Sequence, residues 1–316
     1  MSAPVVVVGA GMAGLACARR LAQAGLAPMV LDKGRGIGGR MATRRVTLAD
    51  GGALQFDHGA QYVTAREPGF AALLDELAGA TGLWQNGSGR QRWVGRPGMS
   101  GLPRAMAARL EVRQSVQVTG LHPDGRGWRL ETDAGTVLAS AVVLTVPAPQ
   151  AAALLGTDHR LAGALAAVHY APCLTLMAAF PGNLQRPFLS QASDSHPLAW
   201  IAQDSSKPGR PQGPTAWVAQ ASPEWSAAHL EEPPEALAGR LLPLLADRLG
   251  LDPAQALFAA AHRWRYARVA APLGQPFLSD GTLWLGGDWC LGARVEAAWQ
   301  SGSAIAEDLL ARGLGG

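Results

Sequence analysis

Val5-Val6-Val7-Val8-Gly9-Ala10-Gly11-Met12-Ala13-Gly14 is the stretch on which the fold turns. Four consecutive β-branched residues, stopped by glycine, read as a strand buried on both faces. An apolar helix follows, ended by Gly25, and a second short strand from Met29 to Leu31 runs into Asp32, 18 residues past Gly14. Gly9 lets the chain turn out of the strand. Gly11 lets the backbone approach a pyrophosphate, and Gly14 lets the helix pack near the sheet. The helix N-terminus then favours phosphate charge, and Asp32 accepts hydrogen bonds from ribose hydroxyls. Strand, G-x-G-x-x-G, helix and acid in this register point to a bound dinucleotide.

The 316 residues suffice for one large domain or two ordinary ones, and 48% hydrophobic content suits a real core. Of the 27 cationic residues only Lys33 and Lys207 are lysines, and no basic run of five occurs. A diffuse arginine excess suits phosphate-bearing small molecules rather than nucleic acid. Cys17, Cys173 and Cys290 are far apart and odd in number, without zinc or C-x-x-C spacing. They are expected as reduced thiols of a cytoplasmic protein, with no metal site. The N-terminus lacks the basic region of a signal peptide. The apolar stretch Leu161 to Phe180 is interrupted by His169 and Pro172, so it reads as buried elements and not as a membrane span.

Further along, the spacing predicts helices over Phe70–Ala80, Gly101–Leu110 and Glu235–Leu249. It predicts strands over Val112–Leu121, Trp128–Thr132 and Thr136–Leu138, with turns at Pro123-Asp124-Gly125 and Asp133-Ala134-Gly135. Ala141–Val146 is expected to return to the main sheet. Thr282–Leu285 and a helix from about Val295 bring the C-terminus back to it as well. The proline- and tryptophan-rich middle reads as a second unit. The expected division is residues 1–70, 100–150 and 276–316 for a cofactor domain, and 71–99 and 151–275 for a substrate domain.

Three further motifs carry chemistry. Gly34-Arg35-Gly36-Ile37-Gly38-Gly39-Arg40-Met41 is a second glycine loop directly after the ribose acid. A nicotinamide enzyme has no need of it, whereas a longer dinucleotide folded back along its pyrophosphate does, with Arg40 pairing to the diphosphate. In Asp57-His58-Gly59-Ala60-Gln61-Tyr62, Gly59 and Ala60 are small enough to lie against a flat ring. Gln61 and Tyr62 are polar groups expected to point into a cavity. In Gly286-Gly287-Asp288 and Arg294-Val295-Glu296, an acid at a strand end can hold ribityl hydroxyls. The start of the last helix can face a flavin's pyrimidine edge and stabilise negative charge there. Together these make FAD the expected cofactor.

These motifs, in this order, resemble the flavin amine oxidase superfamily. The details of Gly34–Arg44, Asp57–Arg66, Arg92–Met106, Thr145–Gln150, His262–Arg268 and Gly286–Ser301 resemble its renalase branch in bacterial form. The resemblance spans the chain and implies an α/β fold: a Rossmann-like FAD-binding domain with a second α+β substrate domain. It implies oxidation of misreduced dihydro isomers of NAD(P)H, with hydride passing to non-covalent FAD and molecular oxygen leaving as hydrogen peroxide. The implied cofactor contacts are Gly9, Gly11, Met12, Ala13, Gly14, Asp32, Lys33, Gly39, Arg40, Met41, Gly59, Ala60, Val118, Gly287, Asp288, Arg294 and Val295. Gln61, Tyr62, Gly98, Met99 and Ser100 resemble substrate-side segments. Position 292 is glycine here where relatives carry a small polar residue. The resemblance implies no membrane or nucleic-acid partner and a monomer or weak dimer.

His262, Trp264 and Tyr266 alternate on one face of an expected strand, so His262 and Trp264 can line the cavity beside the flavin or simply pack. No G-x-S-x-G elbow supports hydrolysis, and Cys290 is expected to pack rather than to link the flavin. A dihydropyridine needs no general base, because losing hydride yields an aromatic cation. Flavin amine oxidases often place a lysine by the flavin. Here Lys33 belongs to the ribose loop and Lys207 to an expected surface loop, which favours hydride donors over amines. No single catalytic side chain is implied. The alternatives are an amine oxidase and a non-catalytic FAD-bound partner protein.

Overall fold

The structure is a computed structural model that describes residues 3–313 apart from 88, 126 and 185. The chain begins with β1 (Val5–Val8), α1 (Met12–Gln23), β2 (Met29–Asp32), β3 (Thr43–Thr47), β4 (Ala53–Asp57) and α2 (Pro68–Glu76). β5 (Thr81–Leu83), β6 (Trp93–Gly95), α3 (Gly101–Met106), β7 (Glu111–Gln114), β8 (Val118–Asp124), β9 (Gly127–Thr132), β10 (Gly135–Ala139) and β11 (Ala141–Leu144) follow. The middle holds α4 (Ala148–Leu155), α5 (Ala162–Ala166), β12 (His169–Phe180), β13 (Ser190–Ala192), β14 (Leu198–Gln203), β15 (Thr215–Ala221), α6 (Pro223–Ala228), α7 (Pro234–Leu249) and β16 (Phe258–Ala271). The chain closes with β17 (Leu278–Asp280), β18 (Leu283–Leu285), α8 (Asp288–Leu291) and α9 (Val295–Ala311).

A six-stranded sheet in the order β17-β18-β11-β1-β2-β7 is parallel except at the β17–β18 edge. β1 lies at its centre, and alternation along it feeds two cores. Val5 and Val7 pack with α1 and α9, while Val6 and Val8 pack on the opposite face with β8, β9 and α4. Both faces are covered, as the unbroken apolar run requires. α2 contributes Phe70, Leu73 and Leu74 to the first cluster. α1 and α9 cross closely because Gly302 has no side chain. A Cβ there would stand 1.9 Å from the Ala13 carbonyl oxygen.

The middle forms a five-stranded antiparallel sheet, β13-β14-β15-β12-β16. Leu174, Leu176, Ala178 and Phe180 of β12 face α7, and Met177 and Ala179 face the β3–β4 hairpin. The mixed α/β fold, with its Rossmann-like half and its second α+β half, is therefore the one read from the sequence.

Expected elements change at several points, and the Phe70–Ala80 helix ends at Glu76, with a separate 3-10 turn over Ala78–Ala80. Val112–Leu121 is not one strand: Ser115 has φ 56°, and β7 closes the six-stranded sheet while β8 opens a separate three-stranded one. The Gly101–Leu110 helix stops at Met106, where the Ala107 N–H is shared between the carbonyls of Pro103 and Arg104 and the turn tightens. None of the helices among the described residues is long and apolar enough to cross a membrane.

Candidate functional site

One cavity of about 1700 Å³ runs from the carboxyl end of β1 to the five-stranded sheet. Ordinary small-ligand pockets hold roughly 300–1,000 Å³, so this one has room for a dinucleotide and a second molecule. It opens where β1 lies between β2 and β11, the switch point at which doubly wound sheets bind ligands.

At the β1 end the walls are backbone. Gly9 has φ +112°, and a Cβ on Gly14 would lie 1.9 Å from the Gly9 carbonyl oxygen. A Cβ on Gly11 would meet nothing within 4 Å, which leaves the first turn of α1 bare towards the cavity. That turn has no side-chain cap and no acidic residue, so its N–H groups suit an anion. Asp32 accepts from the Ala10 N–H at 2.5 Å and the Gly34 N–H at 2.6 Å, tying the two glycine loops together. Its two oxygens keep further acceptor capacity. Thr145, at the end of β11, donates to the Val8 and Gly9 carbonyls at 2.9 and 3.1 Å.

Midway, Arg40 and Asp288 meet in a two-pronged ion pair at 2.6 and 2.7 Å, and Arg40 also donates to the Ala267 carbonyl at 3.1 Å. Sequence reasoning assigned the two separately, to diphosphate and ribityl groups. Their direct pairing joins the second glycine loop to the start of α8, with β16 behind. Gly287, at φ +156°, donates its N–H to Ser301 Oγ at 2.9 Å and so ties that turn to α9.

At the far end the turn 57–61 is held from every side. The Ala60 N–H donates to the Arg40 carbonyl at 2.9 Å. Trp264 Nε1 donates to the His58 carbonyl at 2.8 Å, and Gln220 Nε2 to that of Gly59 at 2.7 Å. A Cβ on Gly59 would lie 2.0 Å from the Arg40 carbonyl oxygen, so only glycine fits this contact. His58, His262 and Trp264 pack as a ring cluster, with His58–Trp264 stacked at 5.2 Å and His262–Trp264 edge-on at 4.4 Å. Burial, with His58 and Arg44 nearby, pushes the His262 imidazole down to about 4. Burial likewise lowers His58, so both rings are neutral near pH 7.

Behind this turn stands a group that sequence reasoning misjudged. Lys207 is no surface residue: its side chain is wholly buried, as are those of Asp57 and Asp204, with Arg210 at 1%. Lys207 Nζ donates to Asp204 at 2.5 Å, and to Asp57 and Gln61 Oε1 at 3.3 Å. Arg210 pairs with the same Asp57 carboxylate, which also accepts from the Met99 N–H and Thr43 Oγ1 at 2.8 Å. Burial would raise the Asp57 carboxyl, but the Lys207 and Arg210 charges outweigh it and hold it below its usual range. Burial, and the Asp57 charge beside it, push the Asp204 carboxyl above its usual range against the pull of Lys207 and Arg210, so two acids face two cations in one buried cluster.

This cluster changes the reading of three residues. Gln61 was expected to offer its amide to the cavity. That amide is taken up by the protein: Nε2 donates to the Asp57 and Gly59 carbonyls and Oε1 accepts from Lys207. Met99 is fully buried and packs in the core, and Gly98 lies against Thr43, so neither lines the cavity. Gly14 also stays out of it and acts in packing. Gln61 and the other expected residues do border it: Gly9, Gly11, Met12, Ala13, Asp32, Lys33, Gly39, Arg40, Met41, Gly59, Ala60, Tyr62, Ser100, Val118, His262, Trp264, Gly287, Asp288, Arg294 and Val295. Sequence reasoning missed Arg92, Pro172, Cys173, Trp200 and Gln220, which border it too. Only Arg92 lay in a segment already singled out, because strand alternation alone cannot tell a cavity wall from a core wall.

Residues 7–77 match the NAD(P)-binding Rossmann-like domain, and residues 80–310 match the flavin containing amine oxidoreductase family. An Exiguobacterium protein assigned as a protoporphyrinogen oxidase superposes with a TM-score of 0.79 at 16% identity, over 99% of each chain. Wild-type putrescine oxidase bound to putrescine superposes at 0.73 and 17%, over 99% of this chain and 100% of that one.

Proposed function

The chain belongs to the flavin-containing amine oxidoreductase family, and on that premise we propose that it is an FAD-dependent oxidase of misreduced dihydro isomers of NAD(P)H. The observation that carries this reading is the charge of the cavity. Arg35, Arg40, Arg66, Arg90, Arg92, Arg104, Arg265, Arg268, Arg294 and Lys33 border it, against only Asp32, Asp194, Asp288 and Glu296. Such a field attracts a nucleotide and repels a diammonium such as putrescine.

The residues fit FAD. The bare first turn of α1 with Gly11 would hold the diphosphate, Asp32 the adenosine ribose, and Val118 the adenine. Arg40 and Asp288 would hold the diphosphate and ribityl chain, with Gly59 and Ala60 small enough to lie beside the ring. The N-terminus of α9 at Val295, a 17-residue helix without a side-chain cap, would favour negative charge on the reduced ring. Cys290 does not border the cavity, and burial pushes its thiol up to about 12, which argues against a link through it and supports a non-covalent cofactor. We take residues 1–70, 100–150 and 276–316 as the cofactor half and 71–99 and 151–275 as the substrate half of a cytoplasmic monomer or weak dimer.

Bound there, the flavin supplies the hydride acceptor, and molecular oxygen takes the two electrons onward, with protons, as hydrogen peroxide. The protein's own work is placement. Gly59 and Ala60 let the ring lie close to the turn. Gln220, Gln61 and Trp264 hold that turn still. The neutral His58 and His262 rings and Trp264 exclude water from a planar dihydropyridine without charging it. No side chain has to take a proton from the substrate carbon, because the pyridinium product forms by hydride loss alone.

The test is steady-state turnover in air. The account expects one NAD(P)+ and one hydrogen peroxide per isomer consumed, and no peroxide from putrescine. The fold likeness to putrescine oxidase supports a second reading, amine oxidation. Peroxide from amines with none from the isomers would establish it.

A further inference from the structure

We propose that Arg92, packed against the rings of Tyr62 and Trp200, is the residue that binds the diphosphate of the nucleotide substrate. This rests on the dihydropyridine-nucleotide reading above and adds to it a specificity-determining contact on the substrate side, distinct from the flavin diphosphate site at α1.

Val63 and Trp93 form an isolated antiparallel bridge, exchanging N–H···O bonds at 2.8 and 2.9 Å. The bridge sets Tyr62 and Arg92, each one residue away, beside one another at the cavity wall. Trp200 arrives from β14, its ring centroid 5.8 Å from that of Tyr62. The Arg92 guanidinium carbon lies 4.3 Å from the Tyr62 centroid and 5.2 Å from that of Trp200. Two aromatic rings therefore hold a planar cation by cation–π attraction.

Two donors at this point have no acceptor. Arg92 Nη1 and Trp200 Nε1 are both buried without a hydrogen-bond partner. Two other cavity arginines are matched by carboxylates, Arg40 by Asp288 and Arg265 by Glu231. Among the described residues no carboxylate pairs with Arg92. A guanidinium cannot shed its proton in a protein, so this half-buried cation stays charged at the cavity wall with no carboxylate among these residues to offset it. Buried donors without partners are rare and call for an explanation. Both residues line the cavity wall, with the Arg92 guanidinium carbon 5.2 Å from the Trp200 ring centroid. A planar guanidinium already seated against two rings suits a phosphate, and a small side-chain shift brings the covered Nη1 and Trp200 Nε1 to the same anion. A diammonium substrate answers neither.

The test uses flavin-loaded full-length protein. ADP-ribose and inorganic pyrophosphate are titrated into wild type, Arg92→Gln and Arg92→Lys by calorimetry, with flavin content and melting temperature measured on each. KM is then measured for the dihydro isomers of NADH and of nicotinamide riboside, which has no phosphate. The expected result is a loss of about tenfold or more in ADP-ribose affinity in Arg92→Gln, as for a lost charge-assisted contact. The lysine variant should fall between. KM for the dinucleotide isomer rises in step, and the two proteins converge on the riboside. Added salt weakens ADP-ribose binding in wild type far more than in Arg92→Gln. Equal ADP-ribose affinity in well-folded Arg92→Gln and wild type, with the isomers still oxidised, overturns the assignment of Arg92 alone. A wild type that oxidises no isomer removes the reading beneath it, and the assignment with it. If Arg92→Gln does not fold, Arg92→Lys decides by the same comparison.

Discussion

The two ends of the cavity are built on opposite principles. At β1 the wall is nearly all main chain, and what matters is the absence of side chains at Gly9, Gly11 and Gly14. At the 57–61 turn the wall is all side chains: a ring cluster in front and a buried four-charge cluster behind. The first end works by letting a ligand approach backbone donors. The second works by immobilising a small turn through partners brought from distant parts of the chain. Lys207 reaches Asp57 across 150 residues of sequence. Variants at the two ends should therefore fail in different ways.

The largest effect is expected at the charge cluster. Lys207→Met leaves Asp57 and Asp204 sharing one cation and should destabilise the protein by about 3–5 kcal/mol, the usual consequence of breaking a buried ion pair. Denaturant unfolding measures it. A loss under about 0.5 kcal/mol, as for ordinary surface positions, would return Lys207 to the surface loop that the sequence led us to expect.

Gly14→Ala comes next. Its new methyl group meets the Gly9 carbonyl oxygen at 1.9 Å, so the βα junction must shift, at about 1–3 kcal/mol for an overpacked site. Gly11→Ala is its counterpart, since a Cβ there meets no protein atom within 4 Å. Thermal melting of the flavin-free protein should be unchanged in Gly11→Ala, while flavin affinity falls by about tenfold, or 1.4 kcal/mol. Equal behaviour of the two variants would erase the distinction between packing and ligand-facing glycines.

A smaller effect concerns pH. His262 titrates at about 4 in the folded protein against 6.5 ordinarily, so between those values the unfolded chain binds more protons. Stability is therefore complete above pH 6.5 and is lost as pH falls towards 4. His262→Gln should flatten that slope in a melting-temperature series. A series as steep as that of wild type would show that other groups carry it. The smallest effect is expected at Cys290. Cys290→Ala should bind flavin as wild type does, and acid precipitation of either protein should leave flavin in the supernatant. Flavin retained in the wild-type pellet and freed by the variant would establish a covalent link.

How much of this could be read from the sequence follows the same division. Gly9, Gly11, Gly14 and Asp32 announce themselves because their constraint is local and steric. The α/β architecture follows from them, from the apolar runs of β1 and β11, and from the helix spacing of α9. The far end was legible only in part. His262 and Trp264 were found through alternation, and Gly59 and Ala60 through their motif, while His58 was passed over. Gln61 borders the cavity as its motif suggested, but its amide's partners depend on what the fold brings close, and Lys207 was invisible for that purpose. Lysine in a stretch of serine, proline and glycine reads as surface until two aspartates appear beside it. The break at Ser115 was hidden for a simpler reason: one residue at positive φ interrupts no pattern of apolar alternation.

The central claim is that the cavity takes a dihydropyridine nucleotide. Anaerobic single-turnover mixing of the flavin-loaded protein with a dihydro isomer of NADH and, separately, with putrescine tests it most directly, with the visible flavin absorbance as the readout. The account predicts bleaching by the isomer within one turnover and none by putrescine. Bleaching by putrescine, with the isomer inert, would contradict it.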